Sequence, residues 1–246
     1  MVYKREMKQE EEYSLYLLKL TGEALVENGD HFSVTAAEIL AEEIQAVVAD
    51  PHIRLAIVVG GGNIVRGTEL AAKGINREIA DYMGMLATVQ NALLLEDRLE
   101  KREVPARTMV SITMNKIAEP YIYKRALRHI NKGRVVILSG GIGVPRVSTD
   151  FAAVQRACEL GASAILKGTK VDGIYDKDPK KYKDAEFISD ITYDEVIQKR
   201  LRVMDDAAFS HAREQFMRPT YIFNIFKKGN LQRVVQGERI GSVIRP

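Results

Sequence analysis

The chain has 246 residues, 46% hydrophobic and 28% charged, enough to bury a substantial core within one large domain. Its 36 basic and 33 acidic residues leave a net charge of +3, spread without the concentrated basic stripe that nucleic-acid binding requires. The single cysteine, Cys158, excludes an intramolecular disulfide, the opening M-V-Y-K-R-E-M-K-Q-E-E-E lacks the apolar core of a signal peptide, and no apolar run approaches the ~18 residues of a membrane span. A cytoplasmic protein with no nucleic-acid or membrane partner is the expectation.

After a polar tail over residues 1–12, residues 13–20, with L-Y-L-L-K-L, suit a buried strand ended by Thr21 and Gly22. Thr35 and Glu38 have capping-box spacing, and Ile39, Leu40, Ile44, Val47 and Val48 share a helical face up to Asp50 and Pro51. Residues 55–59 form the second strand. Residues 77–102 read as a long helix that turns Ile79, Met83, Leu86, Val89, Leu93 and Leu94 towards the core. A strand over 106–110, a helix over 121–131 closed by Lys132 and Gly133, and a strand over 134–138 follow. A helix over 149–160, with Cys158 as an ordinary buried thiol, and a strand over 163–166 complete the series. Strands alternating with crossover helices predict an α/β fold, a parallel sheet between helical layers, as one domain over residues 13–246.

The stretch A-I-V-V-G-G-G-N-I-V-R-G over residues 56–67 carries the first chemical signal. Glycines after a strand let backbone N–H groups approach a ligand, and Arg66 adds a planar permanent charge suited to phosphate. The same residues also fit a plain strand-to-helix turn. Position favours the ligand: residues 19–22, 60–67, 140–150 and 167–178 each lie at or just after the carboxyl end of a predicted strand. In an open parallel sheet those ends share one edge and line one crevice.

Other chemistries lose their signatures. There is no G-x-x-x-x-G-K-[ST], the triple glycine fails G-x-G-x-x-G, and there is no G-x-S-x-G. His31, His52, His129 and His211 are widely spaced without a metal pattern, and Asp172, Asp176 and Asp178 do not fit an EF-hand, so no resident metal site is expected. What remains is phosphate handled by glycines, Lys19 and Arg66: phosphoryl transfer, which needs positioned cations more than a strong base, from a nucleotide carried with Mg2+. Asp150, after Ser148 and Thr149, reads as a cap or first-turn charge of its helix.

Six blocks carry a resemblance to the bacterial-type uridylate kinase family: K-L-T-G-E-A-L at 19–25, V-G-G-G-N-I-V-R-G at 59–67, A-D-Y-M-G-M-L-A-T at 80–88, T-K-V-D-G-I-Y-D-K-D-P at 169–179, V-M-D-D-A-A-F at 203–209 and F-N-I-F-K-K-G-N-L-Q-R-V-V-Q-G-E at 223–238. They cover nearly everything after residue 13, in order and without large gaps. The resemblance implies the amino-acid-kinase fold, a three-layer αβα sandwich around a mainly parallel sheet, and ATP-dependent conversion of UMP to UDP in pyrimidine nucleotide synthesis. It implies that Lys19, Arg66 and Asp150 serve the chemistry, with Asp150 orienting cations. ATP would be held by Lys19, Leu20, Thr21, Gly22, Gly62, Arg66, Thr169, Tyr175 and Asp178. UMP would be held by Gly61, Asp81 and the loop of Ile142, Gly143, Val144, Pro145, Arg146, Val147, Ser148 and Thr149. Asp205 lies in a matching block, with a site role and a packing role both open.

The loop over 140–150, G-G-I-G-V-P-R-V-S-T-D, departs from the family's usual G-G-T-G-N-P-F-F-T-T-D. Ile142 and Val144 stand where hydrogen-bonding side chains are usual, at roughly 1 to 3 kcal/mol of discrimination each for buried partners. The altered loop motivates two alternatives: a kinase of the same fold with another acceptor, and a non-catalytic nucleotide- or anion-binding protein like the related molybdenum storage proteins. The family also implies a homohexamer regulated by GTP and UTP, although residues 26–33 depart from its usual glycine-rich stretch.

Overall fold

The computed structural model describes residues 13–201 and 203–246; the polar tail expected over residues 1–12 lies outside the described residues. In chain order the elements are β1 (Ser14–Leu20), α1 (Val34–Val48), β2 (Ile53–Val59), α2 (Gly67–Ala72), α3 (Arg77–Lys101), β3 (Ala106–Val110), β4 (Glu119–Pro120), α4 (Tyr123–Asn131), β5 (Val135–Ser139) and α5 (Thr149–Leu160). They continue as β6 (Ala164–Thr169), β7 (Ile174–Tyr175), β8 (Phe187–Ile188), β9 (Asp190–Thr192), α6 (Tyr193–Gln198), α7 (Asp206–His211), β10 (Thr220–Asn224), α8 (Asn230–Val235) and β11 (Ser242–Arg245).

Nine strands form one sheet in the order β4-β3-β5-β2-β1-β6-β10-β11-β9, parallel at every pairing except β10 with β11. The central strands are apolar on both faces because both are covered. Pleating sends Leu15 and Leu17 to a core shared with α4, α5, α6 and α7, and Leu18 and Leu20 to a core shared with α1, α3 and α8. The result is an αβα sandwich, with β7 and β8 as a separate antiparallel pair. Among the described residues no helix is long and apolar enough to cross a membrane.

Two local expectations are corrected. Ser33, not Thr35, caps α1, its hydroxyl accepting from Ala36 N at 3.1 Å, while Glu38 turns to Arg102 and Ile39 is exposed. On α3, Ile79, Met83 and Leu86 face outward, Ile79 being 57% exposed, and Leu93 and Leu94 are half-buried; of the six expected there, only Val89 is fully buried. The inward face carries Ala80, Met85, Ala87, Thr88, Val89, Asn91 and Ala92 before Leu95 and Leu99. The cause is close backbone approach: a Cβ on Gly61 would lie 2.8 Å from both Ala87 Cβ and Gly84 O. Where the helix presses on that turn, at Gly84, Ala87 and Thr88, only small side chains fit, and Ile79, Met83 and Leu86 lie on the other face.

Candidate active site

At the carboxyl edge of the sheet a cleft of about 370 Å³ is lined by Lys19, Thr21, Gly22, the triple glycine, Arg66, Asp81, Thr88, Gly141 and residues 146–149. Three of the four segments placed on this edge by the sequence therefore meet around one space. Lys19 reaches it because position 19 shares the α5-side face of β1 with Leu15 and Leu17.

The parallel register of β1 with β6 sets Lys19 directly beside Lys167. Asp150, in the first turn of α5, bridges the two: Lys19 Nζ lies 2.9 Å from Oδ1 as an ion pair, and Lys167 Nζ donates to Oδ2 at 2.7 Å. Burial pushes the Asp150 carboxyl up, but the two lysines outweigh it and hold the group below its usual value. Burial lowers Lys167 to about 8, against the pull of Asp150 and with repulsion from Lys19 added. The site is thus a carboxylate fixed between two ammonium groups, of which Lys19 lines the cleft while Asp150 and Lys167 are not among its lining residues.

The glycine turn is held from below. Gly60 N donates to Leu20 O at 2.9 Å, and Asn91 Nδ2 donates to Gly60 O and to Asn63 Oδ1, each at 2.7 Å. Asn63 Nδ2 returns a bond to Asn91 Oδ1 at 3.1 Å and another to His31 O at 2.7 Å. These buried amides leave the N–H groups of Gly61 and Gly62 with no acceptor among the described residues. Arg66 pairs with Glu23 at 2.9 Å, and Glu23 also takes Lys170 at 2.8 Å, whose bond and charge hold that carboxyl low.

On the opposite wall, Asp81 accepts from Arg77 Nε at 2.9 Å and from the backbone N of Arg146 at 2.8 Å. Arg146 has φ 66° and pairs with Glu78 at 2.8 Å on the rim. Ser148 caps α5, accepting from Phe151 N at 3.0 Å, and donates to Asp205, which itself caps α7 through Ala208 N. Asp205 therefore ties the end of the loop to α7.

Not every expected residue joins the cleft. Leu20 is fully buried in the core and its carbonyl is used by Gly60, so it supports the turn from beneath. Ile142 packs against the α5-side core, and Val144 is exposed on the surface. Gly143 and Pro145 do not line the cleft. Thr169, Tyr175 and Asp178 also lie outside it: Thr169 Oγ1 donates to Val171 O at 2.8 Å, Tyr175 packs edge-on against Phe187, and Asp178 folds the turn to Lys180. Sequence reasoning missed Lys167, Asn63 and Asn91. Lys167 had a signal, a lysine inside the apolar strand A-I-L-K-G-T.

A profile of the amino acid kinase family matches residues 14–224. Among solved structures, UMP kinase from Bacillus anthracis is 38% identical with a TM-score of 0.90, over 95% of this chain and 96% of that one. UMP kinase from Ureaplasma parvum is 31% identical with a TM-score of 0.89, over 95% and 99%. Uridylate kinase from Archaeoglobus fulgidus shares the fold at 24% identity and a TM-score of 0.71, over 93% and 99%.

Proposed function

The chain belongs to the amino acid kinase family, and from that premise we propose that it transfers the terminal phosphoryl group of ATP to the phosphate of UMP, giving ADP and UDP. The observation that carries this reading is the Lys19–Asp150–Lys167 bridge, whose Lys19 lines the same cleft as the glycine turn. An oxygen of the acceptor phosphate attacks the terminal phosphorus of ATP, the bond to the bridging oxygen breaks, and ADP leaves. The acceptor oxygen is already largely deprotonated near neutrality, so no general base is needed. Catalysis then consists of alignment and charge stabilisation.

Lys19 and Lys167 stabilise charge on the transferring group and the leaving oxygen, while Asp150 stays ionised and fixes their separation. The Gly61 and Gly62 N–H groups and Arg66 sit where donor and acceptor phosphates meet, which requires Arg66 to exchange Glu23 for phosphate. Asp81 offers its carboxylate to the acceptor ribose. Thr169 ends β6, next to β1, Tyr175 and Asp178 follow it, and all three are assigned to the donor nucleoside. Asp150, Asp81 and Glu23 are each paired with cations, and no group of three or more His, Cys, Asp or Glu among the described residues is arranged to hold a metal. A magnesium ion would come with ATP and neutralise charge on its phosphate oxygens.

The outward Ile79, Tyr82, Met83 and Leu86 of α3 support self-association of the kind that a homohexamer requires. Sedimentation of the pure protein tests that assembly. For the reaction, purified protein with magnesium-ATP and UMP should yield equal amounts of ADP and UDP. Phosphorylation of CMP or an acidic small molecule in place of UMP would overturn the assignment.

A further inference from the structure

Behind the acceptor loop lies a buried polar cluster that this reaction does not use. Arg156 of α5 has a side chain only 7% exposed, with its guanidinium 3.8 Å from the centroid of the Tyr121 ring. Its Nη1 donates to Glu159 Oε2 at 2.6 Å, and the Tyr121 hydroxyl donates to the same oxygen at 2.5 Å. Its Nη2 donates to Ser111 Oγ at 3.0 Å. Ser111, just past β3, then donates to Gly141 O at 2.8 Å.

The direction of this chain is dictated by chemistry. A guanidinium has donors only, so Ser111 must accept from Arg156, and its single proton is left for Gly141. The serine backbone is fixed as well, with its N donating to Ser139 O at 3.0 Å. From the other side Thr88 Oγ1 accepts from Gly140 N at 2.7 Å, so the two loop glycines are gripped by α3 and by the end of β3. Gly143, at φ 81°, crosses so near that a Cβ would lie 2.9 Å from Ser111 O. Gly141 and Thr88 both line the cleft.

We propose that Arg156 is a positioning residue for the acceptor site: by donating to Ser111 it turns that hydroxyl onto the Gly141 carbonyl and fixes the start of the 140–148 loop in the shape that receives the acceptor nucleotide. The inference rests on the phosphoryl-transfer reading above. Arg156→Lys removes the fork that serves Glu159 and Ser111 together, and Ser111→Ala removes the relay with little change in volume.

Steady-state kinetics of the full chain, varying each substrate in turn, test it. In both variants KM for UMP should rise about threefold to tenfold, the span of one lost intramolecular hydrogen bond, with KM for ATP within about twofold of wild type. Ser111→Thr, which keeps the hydroxyl, should restore the acceptor KM. A folded Ser111→Ala protein with unchanged KM for UMP, or with both KM values raised equally, overturns the inference while leaving the reaction standing. A wild-type chain that forms no UDP overturns both.

Discussion

The two walls of the cleft are built by different means. On the phosphate wall Lys19 lines the cleft beside a turn locked by the Asn63 and Asn91 amides, and it shares one buried carboxylate with Lys167 of the adjacent strand. On the acceptor wall the 140–148 loop is mostly half-buried, with Val144, Arg146 and Ser148 exposed and Arg146 in a left-handed conformation, its side chain paired at the rim. Charge stabilisation needs groups fixed in a dry site, which strand ends supply. In the proposed reaction, recognition of the nucleoside falls to a loop whose exposed side chains are replaceable without disturbing the core. Perturbing the first wall should therefore abolish chemistry, and perturbing the second should change preference.

The largest expected effect is on the first wall. Lys19→Ala should lower kcat by ~10² or more through lost transition-state stabilisation. The protein should stay folded, since Asp150 keeps Lys167 as its partner. Circular dichroism together with turnover checks this, and unchanged turnover in a folded variant would remove Lys19 from the chemistry.

The next effect is one of pH. In the proposed reaction Lys167 acts as a cation, and burial lowers its pKa to about 8, so the active form would lose its proton as pH rises through that value. The free enzyme's kcat/KM for ATP should fall about tenfold per unit above it. In Lys167→Arg, whose guanidinium stays charged, that limb should vanish even if the overall rate is lower. A fall that persists in the arginine variant would assign the limb to another group.

Much of the first wall was legible in the sequence and much of the second was not, for physical reasons. Parallel strand ends share an edge, so Lys19, Gly61, Gly62 and Arg66 could be placed together from period and punctuation alone. Lys167 escaped because strand register, not spacing, sets it beside Lys19. Asn63 and Asn91 escaped because an amide pair across 28 residues has no local pattern. The inward face of α3 was misread because hydrophobicity was weighed without the close approach at Gly61, which demands small residues. Strands β7, β8 and β9 span only two or three residues, and β11 runs against its neighbour β10. The acceptor loop owes its path to positive φ values and to Ser111 and Thr88, distant in sequence.

A smaller effect belongs to base selection. With Ile142 packed against the core and Val144 exposed, neither offers a hydrogen bond to a pyrimidine edge. The ratio of kcat/KM for UMP over CMP should then be less than ~10². A wild-type ratio far above that would show that backbone groups read the base, and would bring the acceptor wall closer to the phosphate wall in rigidity.

The smallest effect sharpens the comparison most directly, because it touches the rim alone. Glu78 and Arg146 form an exposed pair, while the Arg146 backbone N separately holds Asp81. The side-chain bond to Arg146 holds the Glu78 carboxyl low, yet solvent screens such a pair and the loop has its own anchors at Gly140 and Gly141. Glu78→Gln should therefore change KM for UMP by less than about threefold, with any change fading as salt is raised. A tenfold rise insensitive to salt would mean that the rim pair, rather than the buried bonds behind it, sets the loop's position. The acceptor wall would then be a latch closed from outside instead of a surface braced from within.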